Sequence, residues 1–542
     1  MSEAAAAAPA VSLTPLIIIV GYMFVLLGLG IASTRFFRGT SKDYFVASRS
    51  VGPFLLLMSV FGTTMTGFAL VGSTAKSYQL GIGVYGLMAS WSGLVHSAIF
   101  FLIGIKLWAM GKRYGYMTQI QFFRDRFQSN ALGYLLFPIL VGLVIPYLLV
   151  GIISAARVIR PITTGMFPGI FAGVPHPNPK LAEMGKTLFD GSVPPWLTGL
   201  VVCGVVLFYV FFGGVRSAIW ANTFQTIVFM IMGIVAFFMI SKALGGPAAA
   251  TAQVLEFAPK HVAREGLIHH PMFLSYIFVP LSVGMFPHLF QHWLTAKSAK
   301  TFRLTVIAHP IFIAIVWVPC ILVGIWAAAQ GAQGLVRIPN PNAALGAMLG
   351  TLVKSPILSG MLTAGILAAI MSSLDSQFVC LGTMFTNDIV VNKCGKDRFT
   401  DKQLITLARV FVVAIVALAY FLSMLLLDSN VFDLGVWCFT GFASLFPLVF
   451  AAVYWRRATA GGAFACVITT AVVWFYFFYQ DIFLNKAGDG EFLVGGMVPA
   501  ATIFAVSAIA LIVGSLVTKP MDDAHVDRFF IPAPKEDKPA AS

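Results

Sequence analysis

Charge is scarce in this sequence. Only 10% of its 542 residues are Asp, Glu, Lys or Arg, whereas 58% are hydrophobic, a balance that excludes an ordinary soluble domain. The strict apolar–polar alternation of a membrane barrel is also missing, so strands are excluded for the bulk of the chain. Cysteine is rare: five of the six lie in apolar runs and Cys394 in a loop. None has metal-ligand spacing or the pattern of a secreted disulfide scaffold. No H-E-x-x-H, G-x-S-x-G or phosphate-loop motif is present, and His96, Ser372 and Asp375 have no spacing that itself builds a nucleophilic site, so the sequence does not read as an enzyme.

What is abundant is apolar sequence in runs of about 20 residues, each long enough to cross roughly 30 Å of hydrocarbon as a helix. Thirteen such spans are expected, at 12–31, 54–72, 82–105, 131–155, 196–213, 217–240, 271–290, 304–329, 357–385, 403–427, 431–454, 461–480 and 494–517. The fold class is therefore an all-α polytopic membrane protein, with the lipid bilayer as its first partner. The net charge of +14 is spread over short loops, which argues against a nucleic-acid patch. The first 15 residues have no Lys or Arg, whereas Arg35, Arg38 and Lys42 follow the first span. That reverses the basic leader of a secretory signal, so the first span reads as a retained helix with its N-terminus outside. The same orientation puts Lys106, Lys112, Arg113, Arg124, Arg126, Lys297, Lys300, Arg303, Lys393, Lys396, Arg398, Lys402, Arg409, Arg456 and Arg457 on the cytoplasmic side, as the positive-inside rule requires. The C-terminus is then cytoplasmic and the location a bacterial inner (plasma) membrane. Two connections, 156–195 and 241–270, lie outside, and the segment from Pro520 onward reads as a polar, extended tail.

Two spans are broken by their own composition. The second reads "FLLLMSVFGTTMTGFALVG", with two glycines and three threonines between Gly62 and Gly67. Either small residues here allow a close helix crossing, or the helix is interrupted and its freed carbonyls face a cavity. Such breaks are tolerated at membrane depth only where protein or water satisfies them. Five spans later, Pro280, Gly284 and Pro287 interrupt "SYIFVPLSVGMFPHLFQHW", and proline removes a helical donor. Breaks in the first helix of each of two five-helix units point to an inverted-repeat transporter with a site between its halves. The expected organisation is an N-terminal helix and loop (1–53), a first repeat (54–240), an external connection (241–270), a second repeat (271–454), two C-terminal helices (455–519) and a cytoplasmic tail (520–542).

Within the span at 357–385, the stretch "AGILAAIMSSLDSQFVCLG" packs three serines and an aspartate into a membrane helix. Ala369, Ser372, Ser373 and Ser376 share one face at helical spacing. Two adjacent hydroxyls and a backbone carbonyl can replace part of a sodium ion's hydration shell, and carbonyls from the break at Gly62–Met65 can complete it. The alternative is that Ser372 and Ser373 bond back to their own helix and merely permit tight packing.

The motifs "KDYFVASRSVG", "FGTTMTGFALVG", "FFGGVRSAIWANTFQ", "PHLFQHWLTAKS" and "LAAIMSSLDSQFV…TND", in this order, resemble the sodium:solute symporter family of sodium-coupled proline, pantothenate, sugar and monocarboxylate carriers. The resemblance runs from about residue 12 to 517. It implies two inverted repeats with one helix before and two after. It implies sodium ligation by the carbonyls of Gly62, Met65 and Ala369 and the hydroxyls of Ser372 and Ser373, with no other metal and no cofactor besides sodium as coupling ion. Proline-type carriers have an acidic residue at the position of Thr64, many relatives have one where Asn222 stands, and proline carriers place aromatics near Val279 and Val283. These departures bear on ion affinity and speak against proline itself.

Asp375 is an accessory cation ligand, a protonatable coupling group or a structural carboxylate, with Asn222 as an accessory residue; Asp388 reads as a gating or packing contact. The solute is expected beside the two breaks, contacted by Thr64, Thr66, Gly67, Phe68, Gly284, Met285 and Phe286. Hydroxyls and peptide groups there can hold a carboxylate, while Phe68 covers an apolar portion. The function expected is sodium-coupled symport of a small polar solute, a monocarboxylate or amino acid first. Alternatives are a proton-coupled carrier or a non-transporting membrane sensor of the same fold.

Overall fold

The computed structural model describes residues 12–33, 35, 37, 39–171, 191–484 and 492–530. Arg38, much of the connection at 156–195, the first residues and the end of the tail, whose reading is given above, lie outside the described residues. Among those described, the regular structure is helical, with only two isolated β-bridges. Ten helices are long and apolar enough to cross a bilayer, and two bent pairs raise the number to twelve.

In chain order, α1 is Thr14–Ser33, and the first bent pair is α2 (Pro53–Thr64) with α3 (Phe68–Gly83). Next come α4 (Gly86–Tyr114), a short α5 (Gln119–Arg126), α6 (Asn130–Ile162) and α7 (Pro195–Ala243). The second bent pair is α8 (His270–Gly284) with α9 (Pro287–Thr295). It is followed by α10 (Ala299–Ala332), α11 (Pro356–Cys394), α12 (Asp401–Leu425), α13 (Val431–Tyr454), α14 (Ala460–Leu484) and α15 (Pro499–Val517). Side-chain caps mark several starts, such as Ser129 on Leu132 N–H and the Thr400–Gln403 capping box, where the first-turn amides have no helical partner.

The 49-residue α7 is too long for one crossing, because a straight helix of that length would exceed twice the roughly 30 Å hydrocarbon thickness. It turns at Gly214, whose φ of 56° and ψ of −142° are not helical. A Cβ at that position would also meet the Tyr44 carbonyl oxygen at 2.5 Å. The turn explains how Tyr209 and Asn222, on opposite sides of it, both reach Asp375. Counting α7 as two spans gives the thirteen expected. Beside the turn, Arg216 donates to Asp43 from Nε (3.0 Å to Oδ2) and to the Ala47 carbonyl (3.0 Å). Two of the motifs quoted above therefore meet through a buried ion pair.

The bent pairs turn by 57° and 51°. They run in opposite directions, because the lead-in to α2 meets the exit from α9, with Val51, two residues before α2, bridged to Ala296: Val51 N–H donates to Thr295 O (3.0 Å) and Lys297 N–H to Val51 O (2.9 Å). Both breaks are buried, and the first meets α11 where Gly62 O lies 2.8 Å from Ser372 Oγ; every residue of α11 from Leu362 to Met384 is buried.

The tail departs from expectation. Residues 523–527 form a short helix, α16 (Asp523–Asp527), and the chain to Phe530 docks on the lysine- and arginine-rich end of the molecule. The cause is apolar content inside a polar segment: Val526 and Phe529 are buried, and His525 Nε2 is 2.9 Å from the Asp125 carbonyl. The connection at 241–270 contains the helix Pro247–Phe257.

Candidate functional site

At the first break, Met65 is extended (φ −91°, ψ 99°). Its N–H still bonds Phe61 O (2.9 Å), while no donor among the described residues meets its own carbonyl. One turn earlier, Gly62 abuts α7: a Cβ would meet Thr226 Oγ1 at 2.4 Å and the Asn222 carbonyl at 3.4 Å. Glycine is needed here for the broken helix to approach so closely. The Gly62 carbonyl lies 2.8 Å from Ser372 Oγ, which is also 2.9 Å from Ala369 O. Three of the five residues expected to hold sodium are thus brought together directly, with Met65 beside them at the break. Ser373 Oγ bonds back to Ile370 O (2.9 Å), so the two serines make different contacts.

Behind this cluster lies a buried polar network. Asp375 accepts from Tyr209 OH (3.1 Å), and Ser376 Oγ lies 3.0 Å from its Oδ1. With its amide nitrogen toward the carboxylate, Asn222 donates to Asp375 Oδ2 (2.8 Å) and to Ser372 O (3.0 Å). Ser376 Oγ is 2.7 Å from Thr63 Oγ1 and 2.9 Å from His292 Nε2, and His292 Nδ1 is 2.6 Å from Ser59 Oγ. These hydrogen-bonding partners of Asp375 are all neutral. Asp388 differs: Thr118 donates to it (2.9 Å), and the Arg124 guanidinium sits 3.7 Å away and donates to its carbonyl (3.0 Å). Its partner is α5, not the basic residues that follow it in sequence.

The breaks border a small, tight cavity of about 30 Å³, with room for about two waters. Thr64, Phe68 and Phe286 line it, as do Val279 and Val283. The other expected solute contacts lie elsewhere. Thr66 Oγ1 accepts from Phe68 N–H (3.0 Å), Gly67 packs on Ser154 and Val150, Gly284 packs on Phe446, and Met285 O accepts from Gln119 (3.0 Å). Ser92, His96, Tyr147, Trp317 and Phe439 complete much of the lining. Of these only His96 drew attention in the sequence, because the others sit in unbroken apolar spans and meet only through tertiary packing.

A family model described as the sodium:solute symporter family matches residues 44–166 and 196–470. The sodium/pantothenate symporter of Escherichia coli (strain K12) is 25% identical over 84% of this chain and 89% of its own length. The sodium/proline symporter of Haemophilus influenzae is 26% identical over 93% of this chain and 94% of its own. Among solved structures, a sodium-coupled sialic acid symporter in a substrate-bound, outward-open state superposes with a TM-score of 0.72 at 15% identity. The match covers 94% of this chain and 99% of that one and supports the fold.

Proposed function

The chain belongs to the sodium:solute symporter family, and on that premise we propose that it uses inward sodium movement to accumulate a small monocarboxylate or amino acid by alternating access. It is a transporter, as its relatives are named, and not an enzyme. The observation that carries the reading is the Gly62–Ser372–Ala369 oxygen cluster joining a broken helix to α11 beside a neutral cavity.

Sodium is a hard cation and favours such oxygens. In this reading the Gly62, Met65 and Ala369 carbonyls and the Ser372 and Ser373 hydroxyls hold it, with the hydroxyl hydrogens turned away. The bound ion ties the break to α11 and favours the conformation that receives solute. Solute and ion that prefer one conformation raise each other's affinity by the same factor. The basic end, with Arg124 and Arg126, faces the cytoplasm of a bacterial cell. Each sodium moved inward then releases about 2.3 kcal/mol per 100 mV of potential, which drives accumulation.

A proton-coupled reading has one observation in its favour, the carboxylate of Asp375 buried among neutral donors. The test of the sodium reading is uptake by proteoliposomes across a range of sodium concentrations. Ser372→Ala is expected to raise the half-activating sodium concentration about tenfold or more, the scale of one lost contact to a charged group. Unchanged sodium activation in both Ser372→Ala and Ser373→Ala removes these serines from the ion site.

A further inference from the structure

The cavity has two unlike walls. One is aromatic: Tyr147 and Phe286 stack with centroids 5.7 Å apart, and Phe439 meets Phe68 edge-on at 4.7 Å. The other is formed where α4 meets α10, joined by Ser97 Oγ donating to Val306 O (2.9 Å). It presents Ser92, His96 and Trp317. Trp317 Nε1 and His96 Nδ1 are buried and, among the described residues, have no hydrogen-bond partner. His96 is 7% exposed and Trp317 3%. Trp317 Nε1–H is thus a donor without an acceptor, and His96 Nδ1 is one in the tautomer that carries its proton there; such groups are rare in folded proteins and call for an explanation. Beside His96, with ring centroids 5.3 Å apart, His309 spends its Nε2–H on Thr64 Oγ1 (3.2 Å), because the Thr64 hydroxyl hydrogen is on Phe61 O (2.8 Å). Thr64 therefore has no hydrogen left to donate toward the cavity, and the unpartnered buried nitrogens on this wall are Trp317 Nε1–H and His96 Nδ1.

We propose that His96 and Trp317 hold the carboxylate of the transported solute, and that this solute is a short-chain monocarboxylate without an ammonium group. The proposal rests on the symport reading above and narrows its substrate. Indole N–H can only donate, which suits an anion and opposes a cation. No Asp or Glu lines the cavity to balance an ammonium group. Aromatic faces could substitute by cation–π attraction, but those of the two phenylalanines at the breaks are largely covered. Phe286 is stacked between Tyr147 and His288 (5.7 and 4.9 Å), and Phe68 is stacked on Phe432 (4.9 Å). The aromatic wall is left to cover a short apolar chain. With no Lys or Arg in the lining, the carboxylate is held by hydrogen bonds alone, so loss of one donor has a large effect.

The experiment uses the full chain in proteoliposomes with an inward sodium gradient. Labelled acetate, propionate, pyruvate and L-lactate are compared with alanine and proline, and propionamide serves as an uncharged competitor. At least one of the four acids is expected to accumulate, with competition by acids and none by propionamide. Trp317→Phe and His96→Leu are each expected to raise its half-saturating concentration at least tenfold, with sodium half-activation at saturating acid unchanged. His96→Asn, which keeps a donor near Nδ1, is expected to recover most of the loss. Thermal unfolding of each variant with sodium separates misfolding from lost binding, and the Leu–Asn pair at position 96 serves if Trp317→Phe does not fold. Acid uptake with unaltered kinetics in these variants overturns the assignment of the two residues. Sodium-dependent alanine or proline uptake without uptake of any acid overturns the substrate class and leaves symport standing. Sodium stabilisation of the purified chain without uptake of any acid likewise overturns the substrate class. Absence of both sodium-dependent uptake and sodium stabilisation overturns the symport reading and this proposal with it.

Discussion

At the scale of single residues, Asp375 is the group at which sodium and proton coupling can be told apart. Its carboxylate meets Tyr209, Asn222 and Ser376, and Asn222 bridges it to the carbonyl of Ser372. A unit charge within ~10 Å of a bound cation, at an effective dielectric of about 20, is worth about 1.7 kcal/mol, more than tenfold in affinity. If the carboxylate is ionised during sodium binding, Asp375→Asn therefore raises the half-activating sodium concentration about tenfold, measured by uptake at fixed pH. A buried charge without a cationic neighbour is also costly, so the same variant is expected to unfold at an equal or higher temperature. Unchanged sodium activation together with a flattened pH dependence of uptake would instead favour proton coupling.

At the scale of elements, the breaks and the turn organise the site. Gly214 holds a backbone conformation that side chains rarely adopt, against the Tyr44 carbonyl. Gly214→Ala is expected to cost about 1–3 kcal/mol in backbone strain alone, with the steric contact adding to it. Gly233→Ala on the same helix, with open space around it, is expected to be neutral or slightly stabilising. Thermal unfolding of the two variants in one detergent checks the contrast.

These elements also show what is legible in a chain of this kind. Both breaks can be read because Gly, Thr and Pro are conspicuous in apolar runs, and the turn near Gly214 because no single span can hold 49 residues. The serine face can be read by its spacing, but not its division of labour: Ser372 reaches Gly62, Ser373 returns to Ile370, and Ser376 joins Thr63 and His292. Ser92, Trp317 and Phe439 stay hidden because α4, α10 and α13 each look like plain lipid-crossing helices. Only their packing reveals which face borders the cavity. The tail was masked by its overall polarity, which outweighs two aromatic residues in any window average.

At the scale of the whole molecule, the tail and the inner contacts of α11 act on one element, α5. Its N-cap, Thr118, and Arg124 in its last turn both bind Asp388. At its end, Arg126 is buried, donating to Ala452 O (3.0 Å) and Trp455 O (3.3 Å) beneath the rings of Phe529 and Phe530. Burial, and then the nearby Arg456, lower the Arg126 pKa to about 10. Tyr114 OH donates to Arg528 O (2.8 Å), and Arg528 faces Asp125 (3.5 Å). The tail therefore packs on the last turn of the helix that also carries the Arg124 contact to α11. Removing residues 523–542 is expected to let water reach Arg126, loosen α5 and weaken its grip on Asp388. A reporter cysteine at Asn387, which lines the vestibule with Arg124 and Asp125, measures this as its rate of reaction with a maleimide from the basic side. In a background whose native cysteines are replaced, the truncated chain is expected to react several-fold faster than the full one. Equal rates would mean that the Asp388 contacts hold α5 unaided and that the tail only covers Arg126.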